Sequence, residues 1–421
     1  MSTDRTPLVV VATRIFAPEA AAATFRLGAL VRSLGEHARV RVLTATAPPA
    51  LRDRPADAPE TTGGATVSRW PVLRDASGYV RGYLPYLSFD LPLGARLLTG
   101  PRPDVVVVEP PPTTGAVTRV ALAVRGLLGG RIPYVYYAAD VWSDATASMG
   151  APAAVVRVMR LVETFALRGA RDVVAVSEGV AERVRALAGP GAPVTVVPNG
   201  IDTEVFNPDG ERHPDAPGTA YLVYAGTASE WQGAEVFAEA MREVVRQVPD
   251  ARAVFLGQGA SWPALQRVAD DLAPGAIELR PLVPPAVAAA WLRGAAAALV
   301  SVRPGVGYDF AYPTKVIAAL ACGAPVVFAG PGPAAADVAE HRLGAAVAHD
   351  VGQVAAAMVE ALRSDRGRGS HRGTDPDEAA EAADEALDEA AERDRRVAWV
   401  REHRSLAATG RSAAAVVLRL R

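Results

Sequence analysis

Apolar runs of strand length alternate along this chain with longer stretches rich in Ala, Leu and Arg. Uniformly apolar strands separated by helices predict a parallel sheet that is covered on both faces. The strands predicted in the first half are Leu8–Ala12, Val40–Thr44, Val105–Val108, Tyr134–Tyr137, Val173–Val176 and Val194–Val197. The helices predicted between them include Ala22–Gly35, Thr114–Leu128 and Ala151–Arg168.

The alternation restarts after a polar stretch from Asn207 to Gly218, whose Pro, Gly and charged residues are typical of a domain boundary. The strands predicted beyond it are Tyr221–Ala225, Ala253–Gly257, Ile277–Arg280, Ala297–Val302 and Pro325–Ala329. The predicted helices are Ala234–Val248, Ser261–Leu272, Pro285–Arg293 and Lys315–Ala321. The pattern therefore predicts an α/β protein with two tandem, Rossmann-like, doubly wound domains, residues 1–200 and 201–399, and an interdomain cleft.

The last part of the chain has a different composition. Ser364–Gly373 is rich in Arg, Gly and Ser, and we expect it to be mobile. Glu378–Arg396 is rich in Ala, Glu and Asp, which predicts a solvated helix. We interpret residues 364–396 as a surface elaboration, with a specific partner site as the less favoured alternative. An amphipathic segment, about 400–421, predicts a closing helix that packs back onto the first domain.

Composition and charge narrow the class of protein. Half of the residues are hydrophobic, 21% are charged and the net charge is -2, so nothing global favours nucleic acid or an anionic membrane. The single cysteine, Cys322, excludes an intramolecular disulfide and a Cys-rich zinc site. No apolar run has the roughly 18 residues of a spanning helix. We expect a cytoplasmic protein, and peripheral membrane contact stays open.

Lys315 is the only lysine among 44 Lys and Arg residues. A GC-rich codon bias removes lysine wherever any positive charge serves, so the survivor is a candidate for a role that needs a compact ammonium instead of a guanidinium fork. It ends the motif Tyr312-Pro313-Thr314-Lys315, before an apolar run that reaches Cys322. A strand end, a turn and a helix start would place it at a pocket. Chance survival on a surface helix is the alternative.

Two glycine loops follow predicted strands of the second domain, at Gly226 and at Gly257. Small residues let backbone N–H groups approach a phosphate, and a following helix N-terminus adds partial positive charge. Ligands of α/β domains bind at the carboxyl ends of the strands. We therefore expect both loops and Lys315 to lie at one site.

Several motifs, taken in order, carry a family resemblance. They are Phe16-Ala17-Pro18-Glu19 with Arg26, Asp140-Val141-Trp142, Val174–Gly179, Val197-Pro198-Asn199-Gly200-Ile201-Asp202 with Phe206, Tyr224-Ala225-Gly226, and Pro313-Thr314-Lys315 through Val327. Their order and spacing resemble retaining glycosyltransferases of the GT-B fold, specifically family GT4, over nearly the whole chain. The most similar subgroup transfers amino or deoxy sugars in surface-polysaccharide assembly.

The resemblance implies a nucleotide-diphosphate sugar, with UDP or GDP, bound mainly by the second domain. It also implies acceptor groups mainly from the first domain, retention of anomeric configuration, and no tightly bound metal or other cofactor. Protein cations and backbone N–H groups must then stabilise the departing diphosphate, with Lys315 supplying part of that charge. The donor residues expected on this basis are Gly226, Thr227, Ser229, Gly257, Leu282, Val283, Asp309, Phe310, Tyr312, Thr314, Lys315 and Ala318.

The chain also departs from the family pattern. A glutamate that binds the donor's ribose hydroxyls in the family aligns with Ala318, and a second one aligns with Phe310, next to Asp309. Asp309 is the candidate substitute for that second carboxylate. Further departures are the absence of Arg and Lys in the stretch with Thr227, Ser229 and Gln232, Ala139 in place of a His, and Ala21-Ala22 in place of a Gly pair.

The acceptor-side candidates are Phe16, Glu19, Arg26, Asp140 and Trp142. Asp140 either acts on the acceptor, as a base or by binding a sugar hydroxyl, or caps the following turn. Glu19 and Arg26 either pair near the acceptor or brace the first helix. The aromatic stretch Tyr79–Leu98 packs in the core, lines an acceptor groove or touches a membrane, and core packing is favoured. Trp142, Trp231 and Trp262 are predicted to be packing residues.

The leading hypothesis is a glycosyltransferase acting on a small-molecule or polyprenyl-linked acceptor, in specialised-metabolite or surface-glycan biosynthesis. Asp140 and Lys315 are its predicted catalytic residues. The alternative is a non-catalytic GT-B protein that binds nucleotide or assists a partner transferase. A hydrolase or epimerase is the least favoured class, because no paired carboxylates are evident.

Overall fold

The computed structural model describes residues 6–19, 22–48, 64–74, 80, 82–148, 151–370 and 376–420. The chain divides into two compact units, Met1–Asn199 with Leu406–Arg421, and Gly200–Ser405. Each unit contains one parallel sheet with helices. None of the helices in the described ranges combines the length and apolar character that crossing a bilayer requires.

The first unit has a seven-stranded sheet in the order β3-β2-β1-β4-β5-β6-β7, and every pairing is parallel. Its strands are β1 Leu8–Ala12, β2 Arg39–Ala45, β3 Thr66–Trp70, β4 Val105–Val108, β5 Tyr134–Ala138, β6 Asp172–Ala175 and β7 Val194–Val196. Its helices are α1 Ala22–Gly35, α2 Tyr83–Thr99, α3 Pro112–Gly126, α4 Trp142–Ser148, α5 Ala153–Gly169, α6 Glu178–Ala188 and α14 Leu406–Leu418.

The second unit has a six-stranded parallel sheet in the order β10-β9-β8-β11-β12-β13. Its strands are β8 Tyr221–Thr227, β9 Arg252–Gln258, β10 Ile277–Arg280, β11 Ala297–Ser301, β12 Val326–Ala329 and β13 Gly344–Val347. Its helices are α7 Glu235–Gln247, α8 Trp262–Asp271, α9 Pro285–Leu292, α10 Thr314–Ala321, α11 Pro333–Glu340, α12 Val351–Ser370 and α13 Pro376–His403.

Alternate residues of each central strand face different cores. In β1, Val9 and Val11 belong to the core beneath α1 and α14, while Val10 and Ala12 belong to the core beneath α2 and α3. Strands buried on both faces need apolar residues at every position. The parallel α/β class that was predicted from the uniformly apolar runs is therefore confirmed.

The elements that sequence patterns missed are mostly short or amphipathic. The edge strands β3 and β13 are only partly buried, so their residues lack a continuous apolar run. Helix α2 was not predicted as a helix, and it buries Phe89, Leu93 and Leu97 on one side. The predicted mobile segment 364–373 overlaps α12, whose backbone is helical to Ser370, while residues 371–373 lie outside the described residues.

Candidate functional site

A cavity of about 530 Å³ lies at the carboxyl end of β8 in the second unit. Its polar lining side chains are Thr227, Ser229, Gln232, Thr314 and Lys315. The remaining lining residues are apolar or glycine, and they include Trp231, Leu282, Val283 and Ala318. Among the described residues that line the cavity, Lys315 alone is charged. The cavity is therefore an apolar hollow with one cation at its rim.

Lys315 lies in the first turn of α10, because the preceding Pro313 ends the loop and helical hydrogen bonding starts at Thr314. Its Nζ donates a hydrogen bond to the backbone oxygen of Thr227 at 2.9 Å. The same Nζ lies 5.1 Å from the centroid of the Tyr224 ring, a cation–π distance. Burial lowers the pKa of Lys315 to about 8. Its ammonium is thus held against backbone and an aromatic face.

Glycine is required where β8 ends. Gly226 has φ +120°, and a Cβ there would lie 3.0 Å from Lys315 Cε. A Cβ on Gly257 would lie 2.0 Å from the backbone oxygen of Gly226, which no side chain permits. The two predicted glycine loops are therefore neighbours, and their missing side chains let two backbones and the lysine stem come together.

Gln232 organises the loop that follows Gly226. It is buried, and its Oε1 accepts a hydrogen bond from Ser229 N at 3.1 Å and lies 3.2 Å from the Tyr224 hydroxyl. That hydroxyl also lies 2.9 Å from the backbone oxygen of Thr227. The Ser229 amide is thus occupied within the loop, while Ser229 also lines the cavity. Sequence reasoning recorded Gln232 as a missing cation and did not foresee this structural role.

Of the expected donor residues, Gly257, Asp309, Phe310 and Tyr312 do not line the cavity. Asp309 Oδ1 accepts a hydrogen bond from Gly305 N at 3.0 Å, so its carboxylate holds its own loop together. Phe310 is half exposed. The Tyr312 hydroxyl donates to Asp337 Oδ2 at 2.9 Å, and Arg404 donates to the same oxygen at 2.7 Å. The proposed substitution of Asp309 for a family carboxylate therefore has no support in its position.

Trp231 is a lining residue whose place the sequence did not reveal. Its ring stacks on Tyr308 with centroids 5.0 Å apart and an interplanar angle of 22°. It was expected only to pack, and it forms part of the cavity wall. A tryptophan in a polar loop directly after Gly226 was the available signal. Trp262, in contrast, packs against the core beneath α7, as predicted.

The acceptor-side candidates of the first unit have other partners than expected. Glu19 pairs with Arg74 at 3.0 Å, and Arg26 forms a buried ion pair with Glu109. Glu109 also accepts a hydrogen bond from the Thr13 hydroxyl at 3.0 Å. Of the two alternatives for Glu19 and Arg26, pairing with each other is therefore not what the structure shows, since each has its own partner. Phe16 is buried in the core beneath α1.

Asp140 is exposed just beyond the end of β5. The capping role that was one of its two alternatives belongs to Glu163. Glu163 accepts hydrogen bonds from Trp142 N at 2.7 Å and Ser143 N at 2.9 Å, the first amides of α4. Burial raises the pKa of the Glu163 carboxyl. The Trp142 ring packs edge-on against Tyr86, with centroids 5.8 Å apart. The carboxylate of Asp140 is left exposed beyond the strand end.

Two further features carry no evident chemistry. A hollow of about 840 Å³ between α7 and α12 is larger than the cavity at β8, but it lies on helix surfaces, and charged side chains such as Arg242 and Glu360 line it. Cys322 is buried, and burial raises the pKa of its thiol to about 12, as suits a core residue. The described residues hold no cluster of three or more His, Cys, Asp or Glu side chains suited to a metal ion.

The fold agrees with comparisons to known proteins. Residues 20–200 match the family described as Glycosyl transferase 4-like domain, and residues 219–364 match Glycosyl transferases group 1. No curated protein matches the chain in sequence.

Solved structures are similar in fold at low identity. A complex of Anabaena HepE with UDP and glucose has 14% identity and a TM-score of 0.61, covering 98% of this chain and 100% of its own. Sucrose-phosphate synthase from Thermosynechococcus elongatus has 14% identity and a TM-score of 0.60, covering 99% of both chains. A glycosyltransferase from Rickettsia africae has 12% identity and a TM-score of 0.59, covering 99% and 98%. With both domain matches and both sheets in place, the chain belongs to the family 4 glycosyltransferases of the GT-B fold.

Proposed function

We propose that this protein is a retaining glycosyltransferase that takes a sugar from a nucleotide diphosphate bound in the cavity at β8. The observation that carries the proposal is the placement of Lys315, the charged lining residue, beside Gly226 and the N-terminus of α10. A diphosphate needs positive charge and backbone amides, and this corner offers an ammonium and a helix start together. The UDP and UDP-glucose complexes of Anabaena HepE, which shares this fold, support a nucleotide-sugar donor.

In the proposed reaction, the bond between the anomeric carbon and the diphosphate oxygen breaks, and an acceptor oxygen forms the new bond to that carbon. The acceptor proton passes to the departing diphosphate. Lys315 stabilises the negative charge that develops on the leaving oxygen. We propose that the chain's own cations, with no resident metal, supply this stabilisation, as the family resemblance implies. Asp140 would orient the acceptor, since its carboxylate is exposed just beyond a strand end.

The acceptor in this proposal is a small molecule or a polyprenyl-linked glycan, and the sugar transfer takes place in the cytoplasm. A transferase needs room for both substrates, and a cavity of about 530 Å³ is within the range of small-molecule sites. The direct test is thermal shift of the purified chain with a panel of nucleotides and nucleotide sugars. A rise in Tm with at least one is expected. No shift with any member would contradict the proposal.

A non-catalytic GT-B protein is the second candidate. The observation that favours it is the cavity wall itself, where Ala318 stands among apolar residues and no described lining residue is a carboxylate. Sugar release from a nucleotide sugar, measured with and without added acceptors, separates the two. Turnover by the purified chain alone rejects the second candidate. Nucleotide binding without turnover across a broad acceptor panel would favour it.

A further inference from the structure

The polar groups of the cavity are gathered at one end. Lys315 Nζ and the Tyr224 hydroxyl both lie 2.9 Å from the backbone oxygen of Thr227. The same hydroxyl lies 3.2 Å from Gln232 Oε1. These contacts join residues of the β8 loop and the start of α10 into one cluster, and the described walls beyond it are apolar. Those walls include Val223, Leu256, Leu282, Val283, Pro285 and Ala318.

This arrangement constrains the pentose of a bound nucleotide. Ala318 lies four residues after Thr314, on the same face of α10 and about 6 Å further along the helix. Phosphates held at Lys315 therefore place the adjoining pentose next to the Ala318 methyl. A hydroxyl that loses its water there without gaining a partner weakens binding. A ribose brings two such hydroxyls, and a 2′-deoxyribose brings one.

The cavity residues that remain to contact the base are apolar as well. Leu282 is half exposed, Val283 is partly buried, and both line the cavity together with Pro285. A methyl group on the base adds contact with such a wall, and one methyl in an apolar pocket changes affinity by about tenfold or more. Ala318 beside the pentose and the apolar residues beside the base therefore both favour a nucleotide that has one hydroxyl fewer and one methyl more than UDP.

We propose that the donor nucleotide is thymidine diphosphate, so that the donor class is dTDP-sugars in place of the UDP- or GDP-sugars that the family resemblance implies. This inference rests on the proposed function, because it assumes that the cavity binds a nucleotide-diphosphate sugar.

The test compares UDP, dUDP and dTDP by titration calorimetry on the full chain. UDP and dUDP differ only in the 2′-hydroxyl, and dUDP and dTDP differ only in the 5-methyl group. The expected result is that dUDP binds at least as tightly as UDP, and dTDP about tenfold more tightly than UDP. Tighter binding of UDP than of dUDP, or of GDP than of all three, overturns the inference and leaves the proposed function intact. No binding of any nucleotide overturns both.

One variant tests the contact between residue 318 and the pentose separately from the base. Ala318→Glu points a carboxylate into the cavity, where it would accept hydrogen bonds from a ribose diol. We expect the affinity ratio of UDP to dUDP to rise about tenfold. Ala288→Glu, at another lining alanine on α9, is the matched control and should leave that ratio unchanged. Equal ratios in wild type and Ala318→Glu would show that Ala318 does not face the pentose.

A separate observation concerns α2, α3 and α5 of the first unit, which lie side by side. They and the turn after α3 carry eleven of the twenty large hydrophobic side chains that the described residues expose. We call this set the apolar face. Its members are Leu84, Leu87, Leu91, Leu98, Val120, Val124, Leu127, Leu128, Val158, Leu161 and Phe165. Leu127 and Leu128 are 85% and 91% exposed, and the other members of the face are between 41% and 70% exposed.

On these three helices, the acidic and the basic side chains differ in their exposure. The acidic residues on them are Asp90 and Glu163, and both are buried. Of the basic residues, Arg157, Arg160 and Arg168 are exposed, while Arg96, Arg119 and Arg125 are partly buried. Arg160 also lies 3.9 Å from Asp144 of α4. Exposed Leu and Val with surrounding arginines are the chemistry that binds an anionic lipid surface.

We infer that the apolar face docks on an anionic membrane surface. The test is co-sedimentation of the full chain with vesicles of phosphatidylcholine alone and with added phosphatidylglycerol. Binding to the anionic vesicles that weakens in high salt is expected. Leu127→Ser with Leu128→Ser should reduce it about tenfold or more, since two exposed leucines are lost from the contact. Leu387→Ser, at a leucine on α13 that is 68% exposed, is the control and should bind like wild type.

Two results overturn this inference. One is the absence of binding to anionic vesicles, and the other is an equal loss in the Leu387→Ser control. Self-association that the Leu127→Ser, Leu128→Ser variant abolishes, without vesicle binding by wild type, would assign the face to a second copy of this chain instead. Circular dichroism and thermal unfolding measured in parallel confirm that each variant is folded.

Discussion

Lys315 Nζ donates its hydrogen bond to the backbone oxygen of Thr227, at 2.9 Å, and not to a carboxylate. Desolvation is the cause of its lowered pKa, and no described carboxylate opposes that effect. A buried ammonium without a counter-ion is costly, and a bound anion would repay the cost. The Lys315 ammonium therefore offers a positive charge without a described carboxylate partner at the place where we propose that a diphosphate binds.

Removal of that charge should weaken nucleotide binding. Lys315→Ala is expected to lower nucleotide diphosphate affinity and the transfer rate by one to two orders of magnitude, about 1.5–3 kcal/mol for a charge-assisted contact. Lys315→Arg should rescue only part of the loss, because the planar fork does not fit the space beside Gly226. Calorimetry and initial rates measure both. Unchanged values in both variants would show that Lys315 has no role in binding.

Nucleotide affinity should also depend on pH. With its pKa at about 8, free Lys315 is charged at pH 7 and mostly neutral at pH 9.5. Binding at the higher pH then requires uptake of a proton, so the affinity should fall as pH rises through 8. Titrations of UDP or dTDP between pH 7 and 9.5 test this. Lys315→Ala is the control, and its affinity should be nearly flat over the same range.

Stability should respond to the same pKa with the opposite sign. The folded pKa of Lys315, about 8, lies below its ordinary 10.5, so the unfolded chain binds more protons between those values. The contribution of this group to stability therefore rises with pH across that window. Lys315→Met should be more stable than wild type at pH 7, and the difference in Tm should shrink toward pH 10. A constant difference would mean that the lysine pKa is not lowered.

The buried pair of Arg26 and Glu109 should be a stability element of the first unit. Glu109→Ala leaves a buried guanidinium unpaired and is expected to cost about 3–5 kcal/mol in the free energy of unfolding. The double variant Arg26→Met with Glu109→Leu should lose much less, because neither charge remains. Urea denaturation measures both. Asp271→Ala, which removes an exposed partner of Arg242, is the control and should barely change the midpoint.

Asp140 and Glu163 should separate activity from stability. Asp140→Asn is expected to lower transfer while leaving Tm unchanged, because the exposed carboxylate supports no element. Glu163→Ala removes the acceptor for two amides at the start of α4 and should cost about 1–2 kcal/mol of stability. A stability loss in Asp140→Asn, or wild-type transfer rates in it, would contradict the assignment of an acceptor role.

Much of the architecture followed from local pattern. The bounds of α1, β1 and β4 agree with the prediction residue for residue, because a strand buried on both faces and a helix with one apolar stripe leave clear signatures. The bounds of β10 agree as well, although this edge strand is only partly buried. The approach of Gly226, Gly257 and Lys315 was also foreseen, since strand ends of a parallel sheet share one edge. The sequence could not show that Asp309 turns into its own loop, because that depends on a hydrogen bond to Gly305.

The sequence by itself determined most of the strands and helices, the parallel class of both sheets, and a helix start within one residue of the lone lysine. These depend on neighbours within a few residues of each other. Only the tertiary structure decided the side-chain partners: Glu19 with Arg74, Arg26 with Glu109, and Glu163 with the amides of α4. Those partners lie 55, 83 and 21 positions apart. A charge pairs with whatever the packed chain brings within reach, and no local periodicity records that distance.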